Sequence, residues 1–525
     1  MKVSRRAFLK SLGYGSIAIS AMKNKFVFAQ GKKDQLVWVA DQEFKTVDPH
    51  LLMDVATAGY RINLYDGLLR FQDNPPQLQP WLAEKYDVSK DQIRYTFSLR
   101  RGAKFHNGDE VTAEDVRYSM ERQIALGVGA APFFKPIIES TNVPDKYRVE
   151  FKLKYPYAPF LSCITLLNVV NSKLLKAHEA SGDYGSNWLT VNNDAGSGSY
   201  QLESHEAAVG FKAKRFGAHF LGWKEQYIDK IEFRTVRETA TRVMGLLKGE
   251  FDVLGGRMEP DQLEKVAKDP NITVHKDLAA RIFNIRLNNQ KPPLNDVHVR
   301  RAISYCFDYD GCIKDLMKNE VERNAGPIPN NMWGSSPEAK GYTYDIKRAK
   351  EELRQAKVRI DRPLEIVPLV GYPVTEQAAL LLQAGLREIG IESRVNPKTW
   401  PTVISLCAKP ETTPDITDYW VSMYYPDPNN WTGELYESTK GGTWNGQCWY
   451  KNPKVDDLLK KAVSVVDREQ RTKYYNDVTK ILIEDAVELW VFNTRNFTPI
   501  SKAVGGFRFC PIGSGMECRW LYWKA

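Results

Sequence analysis

The sequence contains none of the common catalytic signatures and few of the residues that bind metals. Its 525 residues include no G-x-S-x-G, G-x-x-x-x-G-K-[ST] or H-E-x-x-H motif. The seven histidines are scattered, with no two at helical ligand spacing and none beside a cysteine pair. Gly127 and Gly129 stand without the rest of a dinucleotide fingerprint. These absences predict no catalytic residue, no metal site and no cofactor.

Cysteine and long apolar runs are also scarce. The seven cysteines are an odd number, so at least one thiol stays unpaired, while Cys510 and Cys518 are close enough in sequence to pair in an oxidising compartment. After residue 29 no apolar run reaches the roughly 18 residues that a membrane span requires. At about 150 residues per domain, the length suggests roughly three domain-sized units.

The first 29 residues read as an export leader rather than as part of the fold. The segment SRRAFLK at 4–10 resembles the twin-arginine signal, a short apolar run covers 12–21, and VFA at 27–29 suits cleavage after Ala29. A basic amphipathic N-terminus is the alternative. No cysteine precedes Cys163, so a lipid anchor just after the leader is excluded. We therefore expect a periplasmic protein that is not lipid-anchored.

The leader also accounts for most of the positive charge. Its six basic residues and lack of acids mean that its removal lowers the formal net charge from +9 to +3. Because a nucleic-acid-binding protein usually keeps a strong basic surface, we expect no nucleic-acid partner.

The pattern of the remaining chain is that of an α/β protein. Period-two alternation and apolar runs predict strands at 35–40, 93–100, 149–155 and 251–254, and helices after Thr112 and at 238–248. A strand at 364–370, a helix at 375–389 closed by Gly390 and a strand at 391–395 form a crossover that implies parallel pairing. A further strand is expected at 415–423, with helices at 454–466 and 468–486.

Aromatic residues concentrate in one segment. Nine Tyr and Trp side chains occur among the 32 residues 419–450, or 28% against 11% aromatic residues in the whole chain. Some of them, Trp420 in particular, are expected in the core. The loop YYPDPNNW at 424–431 follows the carboxyl end of a predicted strand, where open α/β sheets bind ligands. The loop therefore predicts a pocket for a polar organic molecule, and a proline-rich turn that only packs is the alternative.

Several segments together resemble the extracellular solute-binding proteins of family 5, the dipeptide-, oligopeptide-, nickel- and opine-binding type that serves ABC importers. They follow the family's order over nearly all of the chain after the leader. The segments are TVDP at 46–49, YDGL at 65–68, QPWLAE at 79–84, FHNG at 105–108, TAEDV at 112–116, GSGSY at 196–200, LNDVHVRRA at 294–302, GPIP at 326–329 and DPNN at 427–430.

The resemblance implies an α/β, two-lobed periplasmic-binding-protein-like fold of type II, with three domains and a ligand cleft between the lobes. Lobe 1 would comprise 30–76, 196–283 and 495–525, with a smaller domain inserted at 77–195, and lobe 2 would comprise 284–494. The implied function is the capture of a small organic solute by lobe closure and its delivery to an ABC permease, without catalysis, by a monomer.

Nine residues are candidates for ligand contact, with the aromatic loop at the centre. They are Phe44, Arg281, Trp333, Tyr424, Tyr425, Asp427, Asn430, Trp431 and Trp444. Asp427 either faces the ligand or holds its own loop through an Asx-type bond. Arg281, Arg394 and Lys398 are each either a contact for an anionic group or an ordinary surface charge. His106, beside the turn-forming Asn107 and Gly108, is expected to be structural.

The ligand class stays open between peptides, opines and sugar conjugates. Peptide-binding relatives carry an acidic residue ahead of the Asp-Pro pair for the peptide's α-amine, and this sequence has Tyr424 there. Because a buried ammonium requires a countercharge, recognition of an ordinary peptide N-terminus is in question. Two other readings remain: an exported hydrolase of a sugar or peptide, and a binder of a nickel-organic chelate.

Overall fold

A computed structural model describes residues 34–443 and 445–524, so the predicted leader at 1–29 and Trp444 lie outside the described residues. Its nineteen strands within these ranges are β1 (Gln35–Ala40), β2 (Leu69–Gln72), β3 (Gln77–Pro80), β4 (Ala83–Val88), β5 (Arg94–Leu99), β6 (Ile138–Asp145), β7 (Arg148–Leu153), β8 (Tyr200–Glu206), β9 (Gly210–Arg215), β10 (Lys230–Thr235), β11 (Val253–Leu254), β12 (Ile272–Leu287), β13 (Val321–Arg323), β14 (Leu364–Val367), β15 (Ser393–Val395), β16 (Ile416–Val421), β17 (Glu488–Ser501), β18 (Val504–Gly505) and β19 (Tyr522–Trp523).

The α-helices of the described ranges alternate with these strands, as expected for an α/β protein. They are α1 (Val55–Leu64), α2 (Ala113–Leu126), α3 (Ala131–Phe134), α4 (Phe160–Cys163), α5 (Ser172–Ala177), α6 (Ser186–Leu189), α7 (Thr239–Leu247), α8 (Pro260–Ala267), α9 (Val297–Cys306), α10 (Tyr309–Gly311), α11 (Ile346–Gln355), α12 (Pro373–Glu388), α13 (Trp400–Leu406), α14 (Gly433–Tyr436), α15 (Pro453–Ser464) and α16 (Arg468–Glu484). None of them combines the length and apolar character required to cross a bilayer.

Local signals place many of these elements where the sequence predicts them. Strand β1 matches its predicted bounds, and α12 begins with Pro373 in its first turn and is followed by Gly390 at φ 84°. Helix α2 starts after Thr112, whose backbone N–H and hydroxyl both donate to Asp115. Strands β14 and β15 flank α12 and pair in parallel, so the predicted crossover is confirmed.

One large sheet joins two halves of the protein. Its strand order is β15-β14-β16-β12-β17-β11-β1-β10-β9-β8, with β13 pairing to β17. We call the half around β1, β8–β11 lobe 1 and the half around β13–β16 lobe 2. Separate apolar cores fill them, one around Trp38 and Phe233 and others around Phe283 and Tyr436. Strands β12 and β17 run through both lobes.

The pairing of β12 with β17 is interrupted between the lobes. The register is continuous from Ile272 to Leu278 and resumes at Ile282, so residues 279–281 form the main break, and a smaller shift follows between Phe283 and Asn284. The carbonyl oxygen of Leu278 accepts hydrogen bonds from Asn74 Nδ2 at 3.0 Å and Asn331 Nδ2 at 3.1 Å. A ladder that loses its regular bonds at one point bends there more easily, so 279–281 is the natural hinge between the lobes.

A four-stranded antiparallel sheet, in the order β4-β5-β7-β6, forms a third layer with α2 on it. Its core includes Phe97, Phe151 and Phe160, and it also takes in Tyr425 from lobe 2. We call this layer, residues 83–167, the inserted layer. The exact domain boundaries given by the family resemblance stay a prediction.

The cysteine pairing considered from the sequence is not present. All seven cysteines are buried free thiols. Cys510 Sγ lies 3.6 Å from the carbonyl oxygen of Phe71, and Cys518 Sγ lies 3.7 Å from that of Met516, so each sulfur has a different backbone partner. Proximity in sequence was misleading here because the two thiols are directed to separate parts of lobe 1.

Candidate ligand-binding cleft

A cavity of about 1040 Å³ lies between the lobes, at the carboxyl ends of β1, β11, β14 and β16. Its walls include residues from the loop that follows each of these strands, and the hinge residues 279–281 form part of its floor. The four wall segments are 41–42, 255–261, 371–374 and 422–424. Parallel strands from both lobes therefore direct their C-terminal loops into one space, as expected for an α/β ligand site. The volume is at the upper end of the range for small-molecule sites, about 300–1,000 Å³.

Aromatic side chains from both lobes form much of the wall. Trp38 contributes from lobe 1, and Tyr372, Trp400, Trp420 and Tyr424 contribute from lobe 2. The ring of Trp420 packs on Phe283 with centroids 4.8 Å apart and on Tyr372 at 6.4 Å. Trp420 is therefore not only a core residue, as the sequence suggested, because its half-buried ring also faces the cavity. Rigid rings of this kind give contact area at a small cost in side-chain entropy.

Two arginines lie against these rings. The Arg257 guanidinium carbon is 3.5 Å from the Tyr372 ring centroid, and that of Arg281 is 4.9 Å from the Trp420 centroid. Burial, with the positive charge of Arg257 adding to it, lowers the pKa of Arg281 to about 10. Arg257 follows β11 in lobe 1, whereas Tyr372 follows β14 in lobe 2, so this stacking contact spans the cleft.

Acidic side chains also line the cavity, mostly from lobe 1. They are Asp41, Asp54, Glu259, Asp261 and Asp315. Asp54 caps α1 by accepting from the Thr57 N–H at 2.8 Å, and its carboxylate is otherwise exposed. Burial raises the pKa of Tyr424 to about 12, and the negative charge of Asp54 adds to this effect. The charge of Asp54, on lobe 1, therefore acts on Tyr424 of lobe 2.

Of the nine residues predicted to contact ligand, two line this cavity. Tyr424 and Arg281 do so, and Trp444 lies outside the described residues. Arg394 is exposed on β15, and Lys398 Nζ lies 3.9 Å from Glu365 Oε1, so neither of these cations reaches the cavity. The remaining six candidates are packed elsewhere in the structure.

The end of the aromatic loop packs against the inserted layer instead of facing the cavity. Tyr425 is fully buried and meets the ring of Phe133 edge-on at 5.5 Å. Asn429 Nδ2 donates to the hydroxyls of Tyr425 at 3.0 Å and Tyr157 at 3.2 Å. The alternative reading, a proline-rich turn that packs, therefore describes the loop after Tyr424.

The buried polar groups of the loop hold its own conformation. Asp427 Oδ1 accepts from the Asn429 N–H at 3.0 Å, the Asx-type bond, and from Arg471 Nη2 at 2.8 Å. Asn430 Oδ1 accepts from the Tyr424 N–H at 3.0 Å, which fixes the one loop residue that lines the cavity. Asp427 and Asn430 are thus placed to support the site from behind.

The other predicted residues are parts of lobe cores. Phe44 is fully buried against Phe211 and Phe233 in lobe 1. Trp431 is fully buried in the lobe 2 core, and Trp333 packs on Arg471 at 4.9 Å. Large aromatic residues bury their area wherever a core accepts it, and local density in sequence does not separate core from cavity.

His106 is placed as the sequence predicts, in a structural network. It is buried, with Nδ1 2.8 Å from Asp194 Oδ2 and Nε2 2.9 Å from the Gly198 carbonyl oxygen. Burial alone lowers the pKa of His106, but the charge and hydrogen bond of Asp194, together with the hydrogen bond to Gly198, outweigh burial and raise that pKa. The FHNG segment of the inserted layer is therefore bonded to the GSGSY segment that leads into β8 of lobe 1.

Sequence reasoning missed Arg257, Tyr372, Trp400 and most of the lobe 1 wall. A signal for Arg257 was available, because the pair Gly255-Gly256 directly follows the predicted strand at 251–254 and Arg257 comes next. Gly256 has φ 84°, and a Cβ there would lie 2.4 Å from Asp41 Oδ1. The glycine therefore allows the two wall segments of lobe 1 to approach each other.

The family described as bacterial extracellular solute-binding proteins, family 5 Middle, matches residues 77–443. The chain belongs to this family. The probable D,D-dipeptide-binding periplasmic protein DdpA of Escherichia coli (strain K12) is 30% identical over 490 residues, which cover 91% of this chain and 92% of DdpA. The dipeptide-binding protein of the same organism is 25% identical, with 98% of each chain covered.

Solved structures agree with the assignment of the chain to family 5. The ABC transporter-associated periplasmic binding protein DppA from Helicobacter pylori, in complex with peptide STSA, superposes with a TM-score of 0.79 at 25% identity, covering 94% of this chain and 98% of DppA. The predicted two-lobed fold is confirmed. The predicted function is also confirmed at the level of the family: the protein is the solute-binding component of an ABC importer.

Proposed function

We propose that this family 5 protein binds a short peptide, or an opine or sugar conjugate of similar size, in the cavity between its lobes. The observation that carries the proposal is the cavity itself, which has aromatic walls and charged groups of both signs supplied by two lobes and their hinge. A zwitterionic solute with an apolar body complements such walls. The name of the relative DdpA, a probable D,D-dipeptide-binding protein, favours dipeptides as the first class to test.

The solute's ammonium group is proposed to bind on lobe 1 rather than at position 424. Tyr424 carries no charge, whereas Asp54 is an exposed carboxylate on the cavity wall within electrostatic range of it. An ammonium between Asp54 and the Tyr424 hydroxyl would donate one hydrogen bond to a carboxylate on lobe 1 and one to a neutral hydroxyl on lobe 2. With the countercharge on lobe 1 and the hydroxyl on lobe 2, the ammonium contacts both lobes only when they are closed, so closure would depend on the solute.

Localisation and catalysis are part of the same proposal. The protein is proposed to be exported through its twin-arginine leader and to act as a monomer in the periplasm, where relatives of its family work. No bond of the solute is proposed to be made or broken. Mass spectrometry of a periplasmic extract tests the export route. The mature protein should be present in the extract and should disappear from it when the two arginines at 5–6 are replaced by lysine.

The ligand proposal is tested by calorimetry with the purified mature chain. The panel comprises L-alanyl-L-alanine, D-alanyl-D-alanine, a tetrapeptide, an opine, a sugar phosphate and a nickel–histidine complex. A native-state ligand also raises the melting temperature in proportion to its occupancy, which gives a second readout. Saturable binding of a peptide, opine or sugar conjugate supports the proposal. Binding of the nickel complex alone contradicts it, and so does a panel in which no compound binds. Appearance of hydrolysed peptide would instead favour the hydrolase reading.

A further inference from the structure

We propose that Arg257 and Arg281 form a binding site for a carboxylate group of the solute. This inference rests on the proposed function, because it assigns one chemical group of the solute to one place in the same cavity. It adds a site at the junction of the lobes and the hinge, away from the aromatic loop that the sequence emphasises.

Neither guanidinium group has an ion-pair or hydrogen-bond partner within residues 34–443 and 445–524, and Arg281 Nε is buried without one. Arg257 donates a hydrogen bond through its backbone N–H, which lies 3.2 Å from Asp41 Oδ2. Both side chains are half-buried. Half-buried cations without a paired counterion are costly, and two of like sign side by side are more so. A bound anion would remove this cost.

Three other cavity arginines are already engaged. Arg242 donates to three backbone carbonyl oxygens and to the Thr239 hydroxyl. Arg495 forms an ion pair with Glu322 at 2.6 Å, and Arg237 forms one with Glu43. Arg61 Nη1 lies 2.7 Å from Met53 Sδ, and its Nε is also buried without a partner among the described residues, but Arg61 lies at the part of the cavity that holds Asp54. Arg257 and Arg281 are therefore the two neighbouring arginines whose side-chain donors are left for one ligand group.

The position of the two arginines also favours a shared ligand group. Arg257 belongs to lobe 1, Arg281 lies in the register break of the hinge, and the rings on which they stack, Tyr372 and Trp420, belong to lobe 2. Both rings hold the guanidinium planes in place without using their N–H donors. An anion between the two arginines would therefore contact groups from lobe 1, from the hinge and, through the stacked rings, from lobe 2.

A carboxylate fits this arrangement better than a phosphate. The cavity also carries five acidic side chains, so a doubly charged anion would meet more repulsion than a singly charged one. A planar carboxylate accepts two parallel N–H donors from a guanidinium, the geometry that is strongest for this pair. Asp54 and the arginine pair would then bind the two ends of a zwitterion.

The test uses the full mature chain, after extensive dialysis, with probes that differ only in the anionic group. These are D-alanyl-D-alanine and L-alanyl-L-alanine against their C-terminal amides, and sodium acetate and succinate against sodium phosphate and sodium chloride at matched ionic strength. The variants are Arg281→Gln and Arg257→Gln, with Arg237→Gln as the matched control because it lines the same cavity but is paired with Glu43. Dissociation constants come from calorimetry and folding from the melting temperature.

We expect the acids to bind the wild type more tightly than the amides, and each of the two variants to reduce that preference by about tenfold, the effect of losing one charge-assisted hydrogen bond. The amides should bind the variants and wild type alike, and the control should keep the full preference. Acids and amides that bind the wild type equally would overturn the carboxylate site and leave the proposed function standing.

The remaining outcomes are equally decisive. Stabilisation by succinate that is lost in Arg281→Gln, with no binding of any peptide, opine or sugar conjugate, would support the site and contradict the proposed function. Tighter binding of phosphate than of succinate would overturn the choice of carboxylate. If Arg281→Gln does not fold, Arg257→Gln, which lies outside the hinge, decides by the same preference ratio, and a ratio equal to that of the wild type overturns the site.

Discussion

At the scale of single residues, a buried ion pair gives the TVDP segment a structural role. Asp48 and Arg122 are both fully buried, and their carboxylate and guanidinium groups are joined by two hydrogen bonds of 2.9 and 2.6 Å. Burial alone raises the pKa of Asp48, but the hydrogen bonds and charge of Arg122 outweigh it, so the pKa is lowered. The pair ties the segment after β1 to α2 of the inserted layer.

We expect Asp48→Asn to lower the free energy of unfolding by about 3–5 kcal/mol, because it leaves Arg122 charged and buried without a counterion. Urea unfolding followed by fluorescence measures this loss. Glu121→Gln, on the exposed face of the same helix and paired with Arg117, is the control and should change stability by less than about 1 kcal/mol. Equal effects of the two substitutions would show that the burial of the pair is not what stabilises this contact.

Asp54 provides a second residue-scale prediction, on affinity. Asn caps a helix about as well as Asp, so Asp54→Asn should keep α1 and the melting temperature of the free protein. Loss of the carboxylate should weaken binding of a dipeptide with a free α-amine by about tenfold or more, and leave its N-acetylated form unaffected. Calorimetry with both dipeptides gives the comparison. A parallel loss for the acetylated form would place the amine elsewhere.

Asp418 gives a pH dependence with a defined sign. Burial raises its pKa from 3.8 to about 7, even though the charge of Arg257 opposes the shift. Its Oδ1 accepts from the Leu369 N–H at 2.6 Å, and Oδ2 is buried without a partner. Since the folded state binds this proton more tightly than the unfolded state, the contribution of Asp418 to stability is largest below pH 4 and is lost as the pH rises to 7.

The corresponding experiment compares wild type with Asp418→Asn. We expect the wild type to lose stability relative to the variant as the pH rises from about 4 to 7, because the variant carries no group that must ionise in the core. Urea unfolding at half-unit pH steps gives the two curves. Parallel curves over this interval would mean that Asp418 is already ionised in the folded protein at acid pH.

At the scale of elements, the loop at 424–431 divides into one cavity residue and a packed remainder. Tyr424→Ala should weaken ligand binding and leave the fold intact, because its half-buried ring lines the cavity. Trp431→Ala should instead lower the free energy of unfolding by about 3–5 kcal/mol, since it empties a fully buried site in the lobe 2 core. Calorimetry and urea unfolding on both variants separate the two roles. Reversed results would return Trp431 to the ligand site.

Much of this element-scale picture could be predicted from the sequence. The 364–395 crossover was predictable because proline, glycine and the hydrophobic period act locally, within one helix and its two flanking strands. The cavity wall was not predictable in this way. Arg257, Arg281 and Trp420 come from three separate segments, and their proximity depends on how β11, β12 and β16 are ordered in the sheet. For the same reason the sequence does not separate Tyr424 from Tyr425, which is buried against the inserted layer, or from Trp431, which is buried in the lobe 2 core.

At the scale of the whole molecule, β12 and β17 are the covalent link between the lobes, and we expect the lobes to move about them. Their register break at 279–281 lies on the cavity floor, so a solute that contacts Arg281 acts directly on the hinge. The lobes also touch at the cavity rim, where Lys318 of lobe 2 forms an ion pair with Asp261 of lobe 1. Affinity in such a clamp depends on the free energy of closure as well as on solute contacts.

This rim pair gives a prediction that separates closure from solute contact. Asp261→Lys places two like charges at the rim. Their repulsion should raise the free energy of closure by about 1 kcal/mol, which weakens solute binding about fivefold. The charge-swapped double variant, Asp261→Lys with Lys318→Asp, restores opposite charges and should recover the wild-type dissociation constant. The fivefold loss should shrink in 0.5 M salt, because both side chains are at least half exposed and salt screens their repulsion. Small-angle scattering should show a larger radius of gyration for the single variant than for the double variant. A double variant that binds as weakly as the single one would mean that Asp261 acts on the solute itself and not on closure.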